Sequence, residues 1–484
     1  MPLKEISYDG YTMGREFKDF VTICNTLSKS DMGCAESIMK KVLDAQQRLF
    51  GHDDADTLFT QEHLASLCWD RGRLDEAERL YLDILRGYER VPPDISDPHH
   101  NVLNNLGILC KRQGRYEEAE RHYQAALRGR EARHGAAHES TLHTACNIAQ
   151  LHAERGDTAA AQAHWAKALP LCERTFGPRD AKTLSVTYNL GLTHKSLGEL
   201  DAAGTLLARA LAGHEAVYGR EHRDTLDVVS ALGHLHLLRD DDAAAAALYR
   251  RALTSHETMQ GSEGDGDGDG DGALRACHGL AKACQGLNRM REAEEMAGRA
   301  LRGFEARAGP DSDDAADAAY TLFLGYVEEE RLREAVVLGA RVLAGFVRGA
   351  SAAARAEEAG AADRRRRGIA ASVADNMALA HAKLGELAPA EALWRRAREG
   401  HAEARGAGDE LALAAANNLG LLCVRQGGRL VEAEGWLREA LEGYEALEGP
   451  RGQTAMRIAR DLASVNEDLG RVAESEAMAS RGYR

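Results

Sequence analysis

"NNLGILCKRQGRYEEAERHYQAAL" runs from Asn104 to Leu127, and "NNLGLLCVRQGGRLVEAEGWLREAL" runs from Asn417 to Leu441. The second stretch repeats the first, 313 residues later. Within the first, Leu106, Gly107 and Cys110, then Ala119, Tyr123 and Ala126, recur at three and four residues. That spacing puts them on one face of a helix. Gly114 between the two runs supplies a left-handed helix stop. The acidic start of "RYEEAE" suits the positive end of the helix that follows. One unit therefore reads as a helical hairpin, with no strand-like alternation competing.

Ala119 fixes the period. Ala35, Ala77, Ala119, Ala161, Ala203 and Ala245 stand 42 residues apart. The series continues at Ala293, Ala335, Ala390, Ala433 and Ser475, with steps of 48, 42, 55, 43 and 42. The first longer step contains an Asp-Gly run, the second an Ala/Arg-rich stretch, and the third the doubled Gly427-Gly428. The chain is thus eleven copies of one unit. Gly72, Gly114, Gly156, Gly198, Gly385 and Gly470 hold the turn inside the hairpin, with Asn288 as a substitute. A second glycine follows the second helix, and Thr57, Thr141, Thr183 and Thr225 fall near the start of the next first helix. Two adjacent units carry Ala297 and Gly339 where others place a bulky second-helix residue, so loose packing is expected there.

Composition narrows the classes of function. The chain has 484 residues, 44% hydrophobic and 5% aromatic, which suits helices packed through small side chains. A net charge of −15 disfavours nucleic acid or an anionic membrane as partner. The start, "MPLKEISYDGYTMG", lacks the pattern of a signal peptide, and no apolar run reaches the ~18 residues of a spanning helix. Nine cysteines without an export signal read as reduced thiols in a cytoplasmic protein.

The residues that invite catalytic or metal chemistry fall into register. Cys68, Cys110, His152, His194, His236, Cys284, Tyr326, His381, Cys423 and Asn466 occupy one slot of successive units. One residue per unit, on stacked helices ~9–10 Å apart, does not converge on one tetrahedral ion. The slot reads as helix packing, with metal ligation as the rival. "HESTLH", His138–His143, has the wrong spacing for the zinc-protease motif, and neither a phosphate-binding loop nor a nucleophile elbow is present. In "GDGDGDGDG", Gly264–Gly272, the acidic residues match half of a calcium loop, but Ala276 stands where the bidentate Glu belongs. A flexible acidic insertion is the better account, with weak calcium attraction as the rival. Arg364–Arg367 reads as a solvated helical extension or as an import tag. No cofactor is expected, and the chain is not expected to be an enzyme.

The pattern Leu106-Gly107-x-x-Cys110 followed by Ala119-x-x-x-Tyr123 resembles the tetratricopeptide (TPR) repeat. Leu190-Gly191 with Ala203, Leu232-Gly233 with Ala245 and Tyr249, and Leu419-Gly420 with Ala433 repeat it. The 42-residue form, with "NNLG", "QGRYEEAE" and "FGPRDAKTL", resembles the kinesin light chain type. The resemblance implies an all-α, right-handed superhelical solenoid of about eleven helix-turn-helix repeats. Its expected divisions are a lead at 1–10, six units at 11–260, the Asp-Gly insertion at 261–272, and two weaker units at 273–348. An Ala/Arg-rich insertion at 349–368 and three units at 369–484 follow.

The resemblance also implies a function. In related superhelices an asparagine ladder on the first helices grips the backbone of an extended peptide. Asn105, Asn147, Asn189, Asn376 and Asn418 resemble that ladder, in a column completed by His63, Ala231, Gly279, Thr321 and Asp461. A carboxamide donates and accepts, so it can hold any peptide bond. The competing reading makes these asparagines hydrogen bonds between repeats. Lys111, Arg112, Lys195, Lys383 and Arg425 lie further along the same helices, placed either to meet acidic ligand side chains or to be solvated. The expected function is a non-catalytic scaffold binding protein partners through extended segments, an adaptor of kinesin light chain type. A stand-alone adaptor or sensor without a motor, or a metal-dependent enzyme or sensor, are the alternatives. No heptad-rich segment precedes the repeats, so this chain alone is not expected to capture a kinesin heavy chain.

Overall fold

The computed structural model describes residues 32–90, 97–263, 270–310, 312–353 and 360–482. Among them every regular element is a helix, and the helices pair into successive hairpins. The chain divides into two compact units, Met1–Gly219 and Arg220–Arg484. The first contains α1 (Met32–Phe50), α2 (Ala55–Asp70), α3 (Leu74–Tyr88), α4 (Asp97–Arg112), α5 (Tyr116–His134), α6 (Glu139–Glu154), α7 (Thr158–Phe176), α8 (Ala181–Ser196) and α9 (Leu200–Tyr218). The second contains α10 (Arg223–Leu237), α11 (Asp242–Glu263), α12 (Asp271–Gly286), α13 (Met290–Ala308), α14 (Asp313–Glu328) and α15 (Leu332–Ala353). It continues with α16 (Gly360–Lys383), α17 (Leu387–Arg405), α18 (Glu410–Gln426), α19 (Leu430–Glu448), α20 (Gln453–Asp468) and α21 (Val472–Gly482). From α2 onward, even numbers are first helices of hairpins and odd numbers are second helices.

Each hairpin closes on small residues. The anchor alanines from Ala35 to Ala433 are all buried. On the first helix, the glycine after the conserved-spacing leucine faces a bulky side chain of the second. A Cβ on Gly107 would stand 2.6 Å from the Tyr123 ring, and one on Gly420 2.7 Å from Leu437. The contact is reciprocated about two turns away, where Gly213 on α9 leaves room for Leu184 on α8, and Gly443 on α19 for Leu413 on α18. Backbones approach closely because no Cβ stands between them, and the apolar area buried there drives the pairing.

The expected looseness around Ala297 and Gly339 is not found. The space that a side chain at 339 would take is filled by Met377 of the next hairpin and by Phe323. Tyr249 of the preceding hairpin packs against Gly279 on α12, the first helix of the hairpin that holds Ala297. Bulk missing in one repeat is supplied by a neighbour.

Helix ends follow the sequence. Asp54, Asp180, Asp409 and Ser312 cap first helices, and Thr57, Thr141, Thr183 and Thr225 are each the third helical residue. The turn inside the hairpin has positive φ, not only at the glycines and Asn288 but also at Asp240 and Glu330. Arg364–Arg367 lies within α16, as a helical extension requires. The lead at 1–10, the first helix of the first unit, and Gly264–Asp269 of the acidic run with its calcium reading lie outside the described residues.

The close contacts make a paired prediction. Gly107→Ala should destabilise by about 1–3 kcal/mol through overpacking against Tyr123. Gly435→Ala meets nothing within 4 Å, so it should gain ~0.5–1 kcal/mol of helix stability. Urea unfolding of both variants beside the parent checks the two signs.

Candidate functional site

The slot that alternates Cys and His obeys a rule set by the residue that starts the next helix. Where the slot holds His, an acid follows five residues on. His194 pairs with Glu199 at 2.5 Å, His236 with Asp241 at 3.0 Å and His381 with Glu386 at 2.6 Å, while His152 lies 3.6 Å from Asp157. Where the slot holds Cys, Tyr or Asn, an arginine follows. Arg73 donates to the Cys68 sulfur at 3.5 Å, and the Arg331 guanidinium lies 4.2 Å above the Tyr326 ring. Cys110 with Arg115, Cys284 with Arg289 and Asn466 with Arg471 keep the same step, and Cys423 with Arg429 is one residue longer because of the doubled glycine. Imidazole complements a carboxylate, whereas a thiol or an aromatic face complements a guanidinium.

The arginines then join repeats. Five of the six reach the glutamate that follows the anchor alanine of the preceding hairpin; Arg289, with Ala246 at that place, pairs with Glu292 of its own hairpin at 3.1 Å. Arg73 pairs with Glu36 at 2.6 Å, Arg115 with Glu78 at 2.5 Å, Arg331 with Glu294 at 2.7 Å, Arg429 with Glu391 at 2.6 Å and Arg471 with Glu434 at 2.7 Å. The sequence reading above missed this ladder. Its signal was present as a constant step of 37 residues, or 38 across the doubled glycine, between an Ala-Glu pair and the arginine after the turn. Among the described residues no three His, Cys, Asp or Glu are grouped to hold a metal ion.

The asparagine column splits in two. Asn105, Asn147, Asn189, Asn376 and Asn418 are all half-buried. Asn147 donates from Nδ2 to Asn104 Oδ1 of the preceding repeat at 3.0 Å, and Asn376 donates to the Ser372 carbonyl of its own helix at 3.1 Å. Asn105 is hydrogen-bonded with Tyr81. The side chains of Asn189 and Asn418 make no hydrogen bond among the described residues. The cations are tethered as well. Lys111 pairs with Glu154 at 2.8 Å, Lys383 with Glu330 at 3.2 Å, and Arg425 donates to the Ala382 carbonyl at 3.3 Å. Arg112 stacks 4.7 Å from the Trp69 ring, and burial holds the Lys195 ammonium below its usual pKa. Neither free solvation nor an uncommitted charged groove describes these five residues.

In the first unit, two ladder positions open onto one cleft of about 720 Å³. Its walls are α6 and α8, and its floor is α7. Asn147 and Asn189 line it together with Leu142, Val186, Trp165 and Phe176. Trp165 is 3% exposed, and its indole N–H has no hydrogen-bond partner. Lys182 on α8 pairs with Glu139 on α6 and lies 4.7 Å over the Phe176 ring.

A model of the tetratricopeptide repeat matches residues 30–90, 99–174, 146–203, 183–258 and 369–446, more than half of the chain. The chain belongs to the tetratricopeptide repeat family. Its hairpins are similar to those of BtubC (BKLC) from P. vanneervenii, at 22% identity and a TM-score of 0.43, over 50% of this chain and 97% of that one. They are also similar to the signal transduction ATPase with a tetratricopeptide repeat sensor, PH0952, from Pyrococcus horikoshii. There the identity is 13% and the TM-score 0.55, over 92% of this chain and 66% of that one. No significant sequence match is found among curated proteins. Tetratricopeptide repeats generally mediate protein–protein interaction. Among the described residues, no helix is long and apolar enough to cross a membrane.

Two TPR glutamates of the first unit give opposite pH responses. Burial raises Glu62 to about 7, with the Arg130 charge opposing. The folded state then holds the proton more tightly than the unfolded chain, so stability is lost as pH rises from about 4.5 to 7. For Glu36, burial pushes upward, but hydrogen bonds from Lys40, Arg73 and Arg71 outweigh it and hold the carboxyl at about 2. Its contribution is present above pH 4.5 and lost as pH falls toward 2. Urea midpoints measured across pH should show Glu62→Gln gaining on the order of 2–3 kcal/mol over the parent above pH 7 and almost nothing at pH 4. A variant gain independent of pH would contradict the burial of that charge.

Proposed function

We propose that this TPR chain is a non-catalytic scaffold that binds extended peptide segments of protein partners along its first helices. The observation that carries the reading is the cleft between α6 and α8. It presents carboxamides from successive repeats beside an apolar floor. Asn189 has its full hydrogen-bonding capacity free, and Asn147 keeps its carboxamide oxygen while donating to Asn104. The buried Trp165 N–H adds a donor without an acceptor, and such a group is costly until something accepts from it. An extended peptide supplies a backbone carbonyl and an amide at regular spacing and an apolar side chain for the floor.

Asn376, Asn418, Lys383 and Arg425 supply the corresponding positions in the second unit, where Asn418 is the free carboxamide. Lys111, Arg112 and Lys195 border the groove in the first. Because these cations already hold neighbouring helices, their contribution to an acidic ligand is a tuning of potential rather than a dedicated contact. The finer reading is an adaptor of kinesin light chain type in the cytoplasm, supported by the 42-residue repeat and its "NNLG" and "QGRYEEAE" segments. Kinesin-related proteins are the partner class that this type implies, while a stand-alone adaptor would use the same groove.

The test is a peptide selected from a displayed random library on the wild-type protein, titrated against Asn147→Ala with Asn189→Ala. Each lost hydrogen bond is worth ~0.5–1.5 kcal/mol net, so the pair should weaken binding roughly five- to a hundredfold. Circular dichroism should show an unchanged helical signal. Unchanged affinity in the folded double variant would make the asparagines repeat-to-repeat glue and remove the groove reading.

A further inference from the structure

The same cleft holds a chemical feature that peptide capture does not require. Cys146 on α6 and Cys172 on α7 both line it. They pack in one cluster with Leu142, Trp165 and Val186, close enough that each thiol shifts the other's ionisation. The other buried thiols are placed differently. Cys68, Cys110, Cys284 and Cys423 occupy the slot of separate hairpins, and Cys277 is buried on α12 outside the slot. We propose that Cys146 and Cys172 are a dithiol that a hydroperoxide oxidises to a disulfide inside the cleft.

The chemistry follows from the contact. The two cysteines stand on the two paired helices of one hairpin and line the same cleft, which is the juxtaposition a disulfide between them requires. The neighbouring Cys146 thiol holds Cys172 below its ordinary pKa against burial and the charges of Asp180 and Glu173, and Lys182 assists. Cys146, as donor, is pushed well above the ordinary value, so Cys172 is the attacking thiolate. In the first step the Cys172 sulfur attacks one oxygen of hydrogen peroxide. An S–O bond forms, the O–O bond breaks, and the leaving hydroxide takes a proton and departs as water. In the second step the Cys146 sulfur attacks the sulfenic sulfur of Cys172. The S–S bond forms, the S–O bond breaks, and the second hydroxide leaves with the Cys146 proton as water. Two electrons pass from the sulfurs to the peroxide, and no further oxidant is required. Both thiols line the open cleft, with Cys146 half-buried and Cys172 buried at its floor, whereas Cys68, Cys110, Cys284 and Cys423 are buried in the slot.

The experiment exposes wild-type protein to a small excess of hydrogen peroxide and then alkylates the remaining thiols under denaturing conditions. Tryptic cleavage at Arg155 and Lys167 separates the two cysteines, so a linked peptide pair is diagnostic by mass spectrometry. The expected product is a Cys146–Cys172 disulfide, reversed by dithiothreitol and formed roughly tenfold or more faster than oxidation of Cys68 or Cys423. Cys146→Ala and Cys172→Ala should each abolish the linked pair, and Cys172→Ala should slow oxidation at 146 to the rate of an ordinary thiol. Oxidation of Cys146 alone without a link, or a pair no faster than the slot cysteines, would overturn the proposal. Because product mapping on the wild type decides the result, an alanine variant that fails to fold does not obscure it. The test uses no peptide ligand, so its outcome stands apart from the groove reading.

Discussion

The close approach of glycine on a first helix to a bulky side chain on the second, at Gly107, Gly191, Gly233 and Gly420, is the contact on which four of the hairpins depend. It sets the distance between the paired backbones, and with it the place of every residue outside the core. Gly107 against Tyr123 and Gly420 against Leu437 hold the ladder asparagines two residues earlier at the same depth in their hairpins. Where the bulky partner is missing, a neighbouring repeat delivers it, as Met377 does for Gly339. Close packing is therefore conserved as a volume rather than as a residue, which is why the period survives so much substitution.

A second constraint acts at the turn. Five of the arginines that follow Cys, Tyr or Asn in the slot clamp the preceding hairpin through a glutamate. The His type satisfies itself with an acid in its own turn. These half-exposed pairs add modest energy singly. Their consequence is orientation, because a guanidinium shared between a slot residue and a neighbouring carboxylate fixes how one hairpin sits against the next.

The all-helical repeat was legible because its marks are local: alanine anchors, helical spacing and turn glycines. Asp240 and Glu330 in left-handed turns were not, since neither residue advertises a positive φ. The asparagine column was legible as a column, but which carboxamide is free was not. That depends on whether the preceding repeat offers an acceptor, as Asn104 does for Asn147, and no repeat offers one to Asn189. The tethering of Lys111 to Glu154 lies one period and one residue away, 43 positions, and so was readable from the repeat once the partner was sought across hairpins rather than on the same helix.

Hairpin four shows how a binding position arises from ordinary repeat parts. Its contact pair is Ala149 and Trp165 rather than a glycine and a tyrosine, so both sides of the contact are larger. The ninth hairpin has the same pair, Ala378 and Trp394. There the residue before the ladder asparagine is Asp375, whose buried carboxyl is raised by burial and eased by the Trp394 indole, although the contact falls short of full hydrogen-bond geometry. In hairpin four that position is Cys146. A thiol is a weak acceptor, and this one is engaged with Cys172, so the Trp165 N–H is left facing the cleft without a partner. One exchange, carboxylate for thiol, thus places an oxidisable sulfur in the cluster around the cleft tryptophan.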